Sequence, residues 1–170
     1  AQNLIKINSV TPDGRSDYAK HGGEEAFAKW LFEFFQENGF SANLDYVQPN
    51  RPNLFVTKNS SNKKKPVVAF QAHLDTVDVE GMTVEPFGAE IKNGYLYGRG
   101  ACDVKGPMAA MITALLKWYQ QNTNPSFELV FLATMGEETG TFGAQHFAKQ
   151  NYHVDLMIVG EPTQLQPVVG

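Results

Sequence analysis

Acidic and imidazole side chains recur in four short polar clusters, each placed where a run of β-forming residues ends. The clusters occupy residues 73–75, 100–103, 136–138 and 160–163. In an open α/β sheet the carboxyl ends of the strands form the ligand crevice. Acids without compensation at buried strand ends are costly, and a dication supplies the missing charge. The sequence therefore predicts that the four clusters share one metal-binding site.

The first cluster contains His73 and Asp75, whose spacing places both side chains on one face of a strand while Leu74 points into the core. A carboxylate that accepts the far ring N–H of a histidine fixes its tautomer and directs the other nitrogen at a metal. We predict that His73 is a metal ligand and that the Asp75 carboxylate orients it. A core histidine bonded to its neighbour is the alternative for this pair taken alone.

Asp103 follows the small-residue segment 98–100 and precedes a helix begun by Gly106 and Pro107. One carboxylate in such a position can bridge two cations about 3.5–4 Å apart, as in two-metal hydrolases. The alternative for Asp103 alone is the N-cap of that helix. The neighbouring Cys102 is expected to pack inward, as small thiol side chains commonly do.

Glu137 and Glu138 are adjacent acids at a strand end, and an extended backbone would direct them to opposite sides. One acid can then bind metal while the other accepts and delivers protons. An exposed turn is the alternative, since Gly136 and Gly140 flank the pair. Glu161 ends the last apolar run and offers a further oxygen ligand.

Hydrophobic periodicity supplies the elements that would position these clusters. The pattern predicts helices at 23–40, 107–121 and 141–150, strands at 43–47, 54–58, 67–73, 127–133 and 154–159, a polar turn at 60–65, and a hairpin around Asn93-Gly94. The last residues, 166–169, look like the start of another strand. Gly39 stands where a helix C-cap belongs. This alternation indicates one α/β domain over residues 1–170, with a mixed, largely parallel sheet and helices on both faces.

Composition excludes several classes of function. Fourteen basic and 18 acidic side chains give a net charge of −4, too weak to draw nucleic acid or an anionic membrane to the chain. Its one cysteine excludes an internal disulfide and any thiolate zinc cluster. No stretch approaches the ~20 apolar residues of a membrane span, so we expect a cytoplasmic protein. The remaining histidines, His21, His146 and His153, are expected at the surface.

Four motifs together resemble those of a known family. They are A-H-L-D-T-V from Ala72, Y-G-R-G-A-C-D-V-K-G from Tyr97, G-E-E-T-G from Gly136 and G-E-P-T from Gly160. Their order and spacing resemble the family of co-catalytic metallohydrolases that includes acetylornithine deacetylase, succinyl-diaminopimelate desuccinylase, aminoacylase and glutamate carboxypeptidase. The resemblance implies a zinc-aminopeptidase-like catalytic domain with two divalent metal ions. Zinc is the expected metal, with cobalt or manganese as alternatives for the same donors.

The resemblance also implies a role for each of six clustered side chains. His73 and Glu161 would bind the first metal, Asp103 would bridge both metals, Glu138 would bind the second, Glu137 would be the general base and acid, and Asp75 would orient His73.

The implied reaction is hydrolysis of the amide bond of an N-acyl amino acid, with acetylornithine and arginine biosynthesis as the first expectation. A metallo-exopeptidase that cleaves dipeptides or a C-terminal glutamate is one alternative, and a metal-binding fragment without catalysis is another. Family members also carry a lid and dimerisation domain and a closing catalytic segment with a further histidine ligand. Neither follows Gly170. We therefore expect a truncated chain whose complete form is a homodimer through the lid.

Overall fold

The computed structural model describes residues 1–13, 16–58 and 65–169. Within these ranges, helices and strands alternate along the chain as the periodicity predicts. The helices are α1 (Gln2–Ile5), α2 (Asp17–Lys20), α3 (Glu24–Glu37), α4 (Lys105–Gln121) and α5 (Phe142–Ala148). The strands are β1 (Ser41–Gln48), β2 (Arg51–Thr57), β3 (Val67–His73), β4 (Ile91–Lys92), β5 (Tyr95–Leu96), β6 (Glu128–Thr134) and β7 (Leu156–Val159).

Five of the strands form one sheet in the order β1-β2-β6-β3-β7. Strand β3 pairs in parallel with both β6 and β7, whereas β2 is antiparallel to its neighbours β1 and β6. Four of these strands therefore run in one direction and β2 runs against them. The predicted mixed, largely parallel sheet is confirmed.

The main core lies between one face of this sheet and helices α3 and α4. Phe27, Leu31 and Phe35 recur every four residues along α3, and all three are fully buried. That spacing forms one continuous apolar stripe on a helix. The ring of Phe35 packs 5.5 Å from that of Phe131 in β6, between centroids. Burying each such side chain stabilises the fold by about 1.5–3 kcal/mol.

The opposite face of the sheet carries α5 and the segment that follows it. Phe55 of β2 packs against Phe147 of α5 and Tyr152, with centroid distances of 5.9 and 4.5 Å. The Nδ2 group of Asn53 donates a hydrogen bond of 2.9 Å to the carbonyl of Gly143. Helices thus cover both faces, as predicted.

Local turn chemistry follows the sequence where glycine or asparagine must adopt positive φ. The hairpin between β4 and β5 turns at Asn93 and Gly94, with φ of 52° and 81°. Gly39 adopts φ of 74° just after α3 ends. Both features are confirmed.

Some predicted boundaries are wrong. Residues 166–169 form no strand, because Pro167 has no N–H to donate to a ladder and Val168 is 80% exposed. The short helices α1 and α2 were not predicted, since four residues carry too little periodicity to be recognised. Most of the predicted turn at 60–65 lies outside the described residues. No helix in the described ranges is long and apolar enough to cross a membrane.

Candidate metal centre

Three of the four polar clusters lie along one edge of the sheet, and the fourth, 100–103, reaches the same place from the turn before α4. His73 is the last residue of β3 and pairs in register with Thr134, the last residue of β6. Because the two strands are parallel, the turn that carries Glu137 and Glu138 follows directly beside His73. Glu161 lies two residues beyond the end of β7, the other neighbour of β3.

The imidazole of His73 is buried and held from both sides. Its Nδ1 lies 2.8 Å from the backbone carbonyl oxygen of Asp75, and its Nε2 lies 2.9 Å from Oδ1 of Asp103. A ring N–H at Nδ1 that donates to this carbonyl leaves Nε2 as the metal-competent nitrogen. The prediction that the Asp75 carboxylate accepts this N–H is wrong, since its Oδ1 is 3.7 Å from Nδ1.

The Asp75 carboxylate is occupied elsewhere. Fully buried, it accepts the backbone N–H groups of Glu137 and Glu138, each at 3.0 Å. Two amide donors hold both oxygens in place, which is why the carboxylate does not rotate towards the ring. Asp75 therefore orients His73 through its carbonyl and the glutamate turn through its side chain.

Glu137 and Glu138 do not diverge as an extended backbone would require. Residues 137–140 form a turn, and both carboxylates have an oxygen near His73. The structure gives two sets of donor atoms within 4.8 Å of one another. One set is His73, Asp103 and Glu161, and the other is His73, Glu137 and Glu138.

Burial and neighbouring charges together shift the pKa values of three of these groups. Burial raises the pKa of Glu138; His73 opposes this, while the negative charges of Asp103, Asp75 and Glu137 add to it. Burial likewise raises the pKa of Glu161, again opposed by His73. For His73, burial lowers the pKa, but the Asp103 hydrogen bond and the Asp75 charge outweigh it and leave the pKa raised. The two glutamate pKa values are therefore raised mainly by burial, with a smaller contribution from neighbouring acids, and the His73 pKa is raised by the carboxylates that face it.

The donor chemistry fits a divalent metal. Carboxylate oxygen and imidazole nitrogen are ordinary ligands of zinc, and cobalt and manganese accept the same donors. Asp103 is not an N-cap, since Val104 occupies that position and makes no side-chain cap bond. Cys102 is exposed in the turn that precedes α4, contrary to the inward packing expected of it.

The other histidines lie apart from these donor sets. His146 contacts Asp45 at 3.0 Å and His153 contacts Asp155 at 3.1 Å. His21 and His153 are exposed, and His146 is half-buried. Their predicted surface placement agrees with the structure.

A cleft of about 380 Å³ opens beside the donor atoms, with Asp103 and Glu138 in its wall. Its remaining lining is largely apolar. This part of the wall includes Val77, Met82, Val84, Leu96 and Tyr97. This lining was not predictable from the sequence, because its residues come from loops and a hairpin with no shared periodicity.

Comparison with known proteins decides the family. Residues 69–170, more than half of the chain, match the model of peptidase family M20/M25/M40. The chain belongs to this family. The resemblance drawn from the four motifs is confirmed, and all six predicted site residues lie inside the matched span. Members of the M20 family are metal-dependent hydrolases that act on amide bonds.

Curated relatives of the chain include succinyl-diaminopimelate desuccinylases. The succinyl-diaminopimelate desuccinylase of Vesicomyosocius okutanii is 38% identical over an alignment of 174 residues, which covers 96% of this chain and 42% of that protein. Succinyl-diaminopimelate desuccinylase 2 of Ruegeria sp. is 32% identical over 174 residues, with coverage of 97% and 40%. The chain thus spans about two fifths of the length of these relatives.

Solved M20 structures share the fold. A metallo-carboxypeptidase from Sulfolobus solfataricus superimposes with a TM-score of 0.76 at 24% identity, covering 94% of this chain and 36% of that one. Human carnosine dipeptidase 1 gives a TM-score of 0.73 at 21% identity. At these identities the likeness establishes the fold alone.

Proposed function

We propose that this chain forms the metal-binding catalytic segment of a hydrolase that cleaves the amide bond of an N-acyl amino acid. One observation carries the proposal. His73 stands between two sets of carboxylate donors, one with Asp103 and Glu161 and the other with Glu137 and Glu138, beside a cleft with a largely apolar wall. Membership of the M20 family supports the same chemistry.

Two metal ions are proposed at this edge of the sheet. His73 and Glu161 would hold the first, Asp103 would bridge both, and Glu138 would hold the second. Zinc is the metal we would test first, followed by cobalt and manganese. When bound, the metals would polarise the amide carbonyl and offset the negative charge that develops on it.

Glu137 is the proposed proton carrier. Its backbone N–H is fixed by Asp75, which holds its carboxylate near His73. Among the described residues, the structure shows no ion pair between this carboxylate and a basic side chain. A carboxylate placed in this way accepts a proton from water and delivers it to the departing amine. Asp75 itself would keep the turn and His73 in place and would not exchange protons.

The cleft supports an acyl group as the part of the substrate that lies beside the metals. Relatives at 38% and 32% identity are named as succinyl-diaminopimelate desuccinylases, so N-succinyl-diaminopimelate is the first substrate to test. The motif resemblance puts N-acetylornithine next to it. Dipeptides complete the panel, because an exopeptidase would use the same donors.

The test uses the full-length protein loaded with zinc, cobalt or manganese. We expect turnover of at least one N-acyl amino acid, and we expect Glu137→Gln to lower kcat by about 10²–10⁴-fold with its metal content retained. Glu33→Gln, an exposed acid on α3, is the control and should leave kcat unchanged.

Three results would redirect the proposal. Turnover of dipeptides alone would make the protein an exopeptidase. Metal binding without turnover of any amide would reduce it to a metal-binding protein. Full activity in Glu137→Gln would remove Glu137 from proton transfer. Light scattering on the same sample tests the proposed homodimer through a lid domain.

A further inference from the structure

A buried ion pair lies behind the candidate metal centre and takes no direct part in either donor set. Glu24, in the first turn of α3, is fully buried, and Arg51, at the start of β2, is 7% exposed. Nε and Nη2 of Arg51 donate to the Glu24 carboxylate at 2.9 and 2.6 Å. Removing two charges from water is expensive, and such a pair rarely adds net stability. The pair therefore contributes through the neighbouring groups that it positions.

The pair holds the backbone of the glutamate turn. Oε1 of Glu24 accepts the N–H of Gly136 at 3.2 Å. One residue earlier, the N–H of Met135 donates to Oδ1 of Asn53 at 3.0 Å. Together with the two bonds to Asp75, four consecutive backbone N–H groups, 135 to 138, donate to buried side chains from α3, from β2 and from the segment after β3.

Close packing reinforces these bonds. Gly136 has φ of 66°, and a Cβ added to it would lie 3.4 Å from Nη2 of Arg51. The side chain of Asn53 also donates to the carbonyl of Gly143. The N–H of Gly143 in turn donates to the carbonyl of Met135 at 3.0 Å. The turn is thus fixed from α3, from β2 and from the start of α5.

We infer that Glu24, with Arg51 as its counter-ion, is a positioning residue that sets the place of Glu137 and Glu138 relative to His73. The inference rests on the proposed function, because that proposal gives the two glutamates their roles. Loss of the pair affects the donor set on the glutamate turn and spares the set made of His73, Asp103 and Glu161.

The experiment replaces the pair as a unit, Glu24→Leu with Arg51→Met, in the full-length protein. Exchanging both charges avoids leaving one of them buried alone. The matched control is Glu25→Leu with Lys29→Met, a neighbouring pair 2.9 Å apart with its lysine half-exposed. Cobalt(II) is titrated into the metal-free proteins while the visible absorption of each binding step is recorded.

We expect the weaker second step to lose affinity by about 10–100-fold, the usual effect of removing a group that supports a metal ligand. The first step should stay within twofold of the wild type, and kcat should fall while KM stays within twofold. The control pair should change neither step. An unchanged second step, or equal weakening of both steps, would overturn the inference.

Misfolding of the double variant and failure of the proposed function can both be told apart from failure of this inference. If the double variant does not fold, Glu24→Asp is used, which keeps the charge beside Arg51 but withdraws the carboxylate from the Gly136 N–H. The same selective weakening is expected, and its absence counts against the inference. Because the titration needs no substrate, a wild type that cleaves none of the amides refutes the proposed function and leaves this result intact.

Discussion

Asp75→Asn is the substitution that tests the geometry of the site most directly. The two side chains have nearly the same shape, so packing is preserved. The carboxylate accepts two backbone N–H groups at 3.0 Å, from Glu137 and Glu138. An asparagine oxygen can keep one of these bonds. Its amide N–H₂ then faces the other backbone N–H, and two donors cannot bond to each other.

The structure gives the size of the effect. One buried N–H is left without an acceptor, which costs about 1–3 kcal/mol, and the surviving bond loses its charge and about 0.5–1 kcal/mol more. We therefore expect a loss of about 1.5–4 kcal/mol in the free energy of unfolding. Because the affected backbone carries Glu137 and Glu138, we expect kcat to fall about 10–100-fold as well.

The measurement compares thermal unfolding, metal content and kcat of the full-length wild type and variant. Asp17→Asn is the control, because Asp17 lies on the surface and pairs with exposed Lys20 at 2.7 Å. We expect this control to match the wild type. If Asp75→Asn also keeps its melting temperature and kcat, the carboxylate does not hold the turn and the reasoning is wrong.

Three further predictions follow from buried groups. Gly143→Ala should lower the melting temperature by several degrees, because its Cβ would lie 2.3 Å from a side-chain oxygen and 2.6 Å from backbone. Burial lowers the pKa of Lys105 to about 7. Between this pH and the unfolded pKa near 10.5, only the unfolded chain carries the proton, so the free energy of unfolding should rise with pH. Urea unfolding should show this rise in the wild type and not in Lys105→Met. The pKa values of His73, Glu138 and Glu161 are raised above their ordinary values of 6.5 for histidine and 4.5 for glutamate. These groups therefore stabilise the metal-free protein in acid, and this stability is lost as pH rises through the raised pKa values. The gain in melting temperature on adding zinc should therefore widen across the same range, and a gain independent of pH would contradict this account.

Elements whose signal is local were predictable from the sequence. The apolar stripe of α3 repeats every four residues, and Asn93-Gly94 needs only two residues to specify its turn. The strand runs that end at His73 and Thr134 are short and apolar because both faces of β3 and β6 are covered. Parallel pairing of β3 with β6 and β7 then brings their ends together, which is why the clusters after these strands are predictable at one edge from the sequence.

Contacts between distant segments were not predictable. Glu24 in the first turn of a helix suits the helix dipole at the surface equally well, and Arg51 at a strand start looks like an ordinary solvated charge. Nothing local shows that they meet inside the protein. The prediction for Cys102 was wrong for a related reason. Its exposure depends on how the rest of the chain folds around its turn, and the chemical character of the thiol does not determine it.

Asp75 shows how one residue can serve two parts of a site by using different atoms. Sequence reasoning assigned its carboxylate to His73, because the spacing places the two side chains on one face. In the structure the backbone carbonyl takes the imidazole N–H, and the carboxylate is released to take the glutamate turn. A carbonyl is present whatever the side chain, so the tautomer of His73 does not depend on residue type at position 75. The position of Glu137 and Glu138 does depend on the residue at position 75, because a carboxylate can accept both of their N–H groups with its two oxygens and donates none. The glutamate turn, and not the imidazole, is therefore what the carboxylate of Asp75 serves.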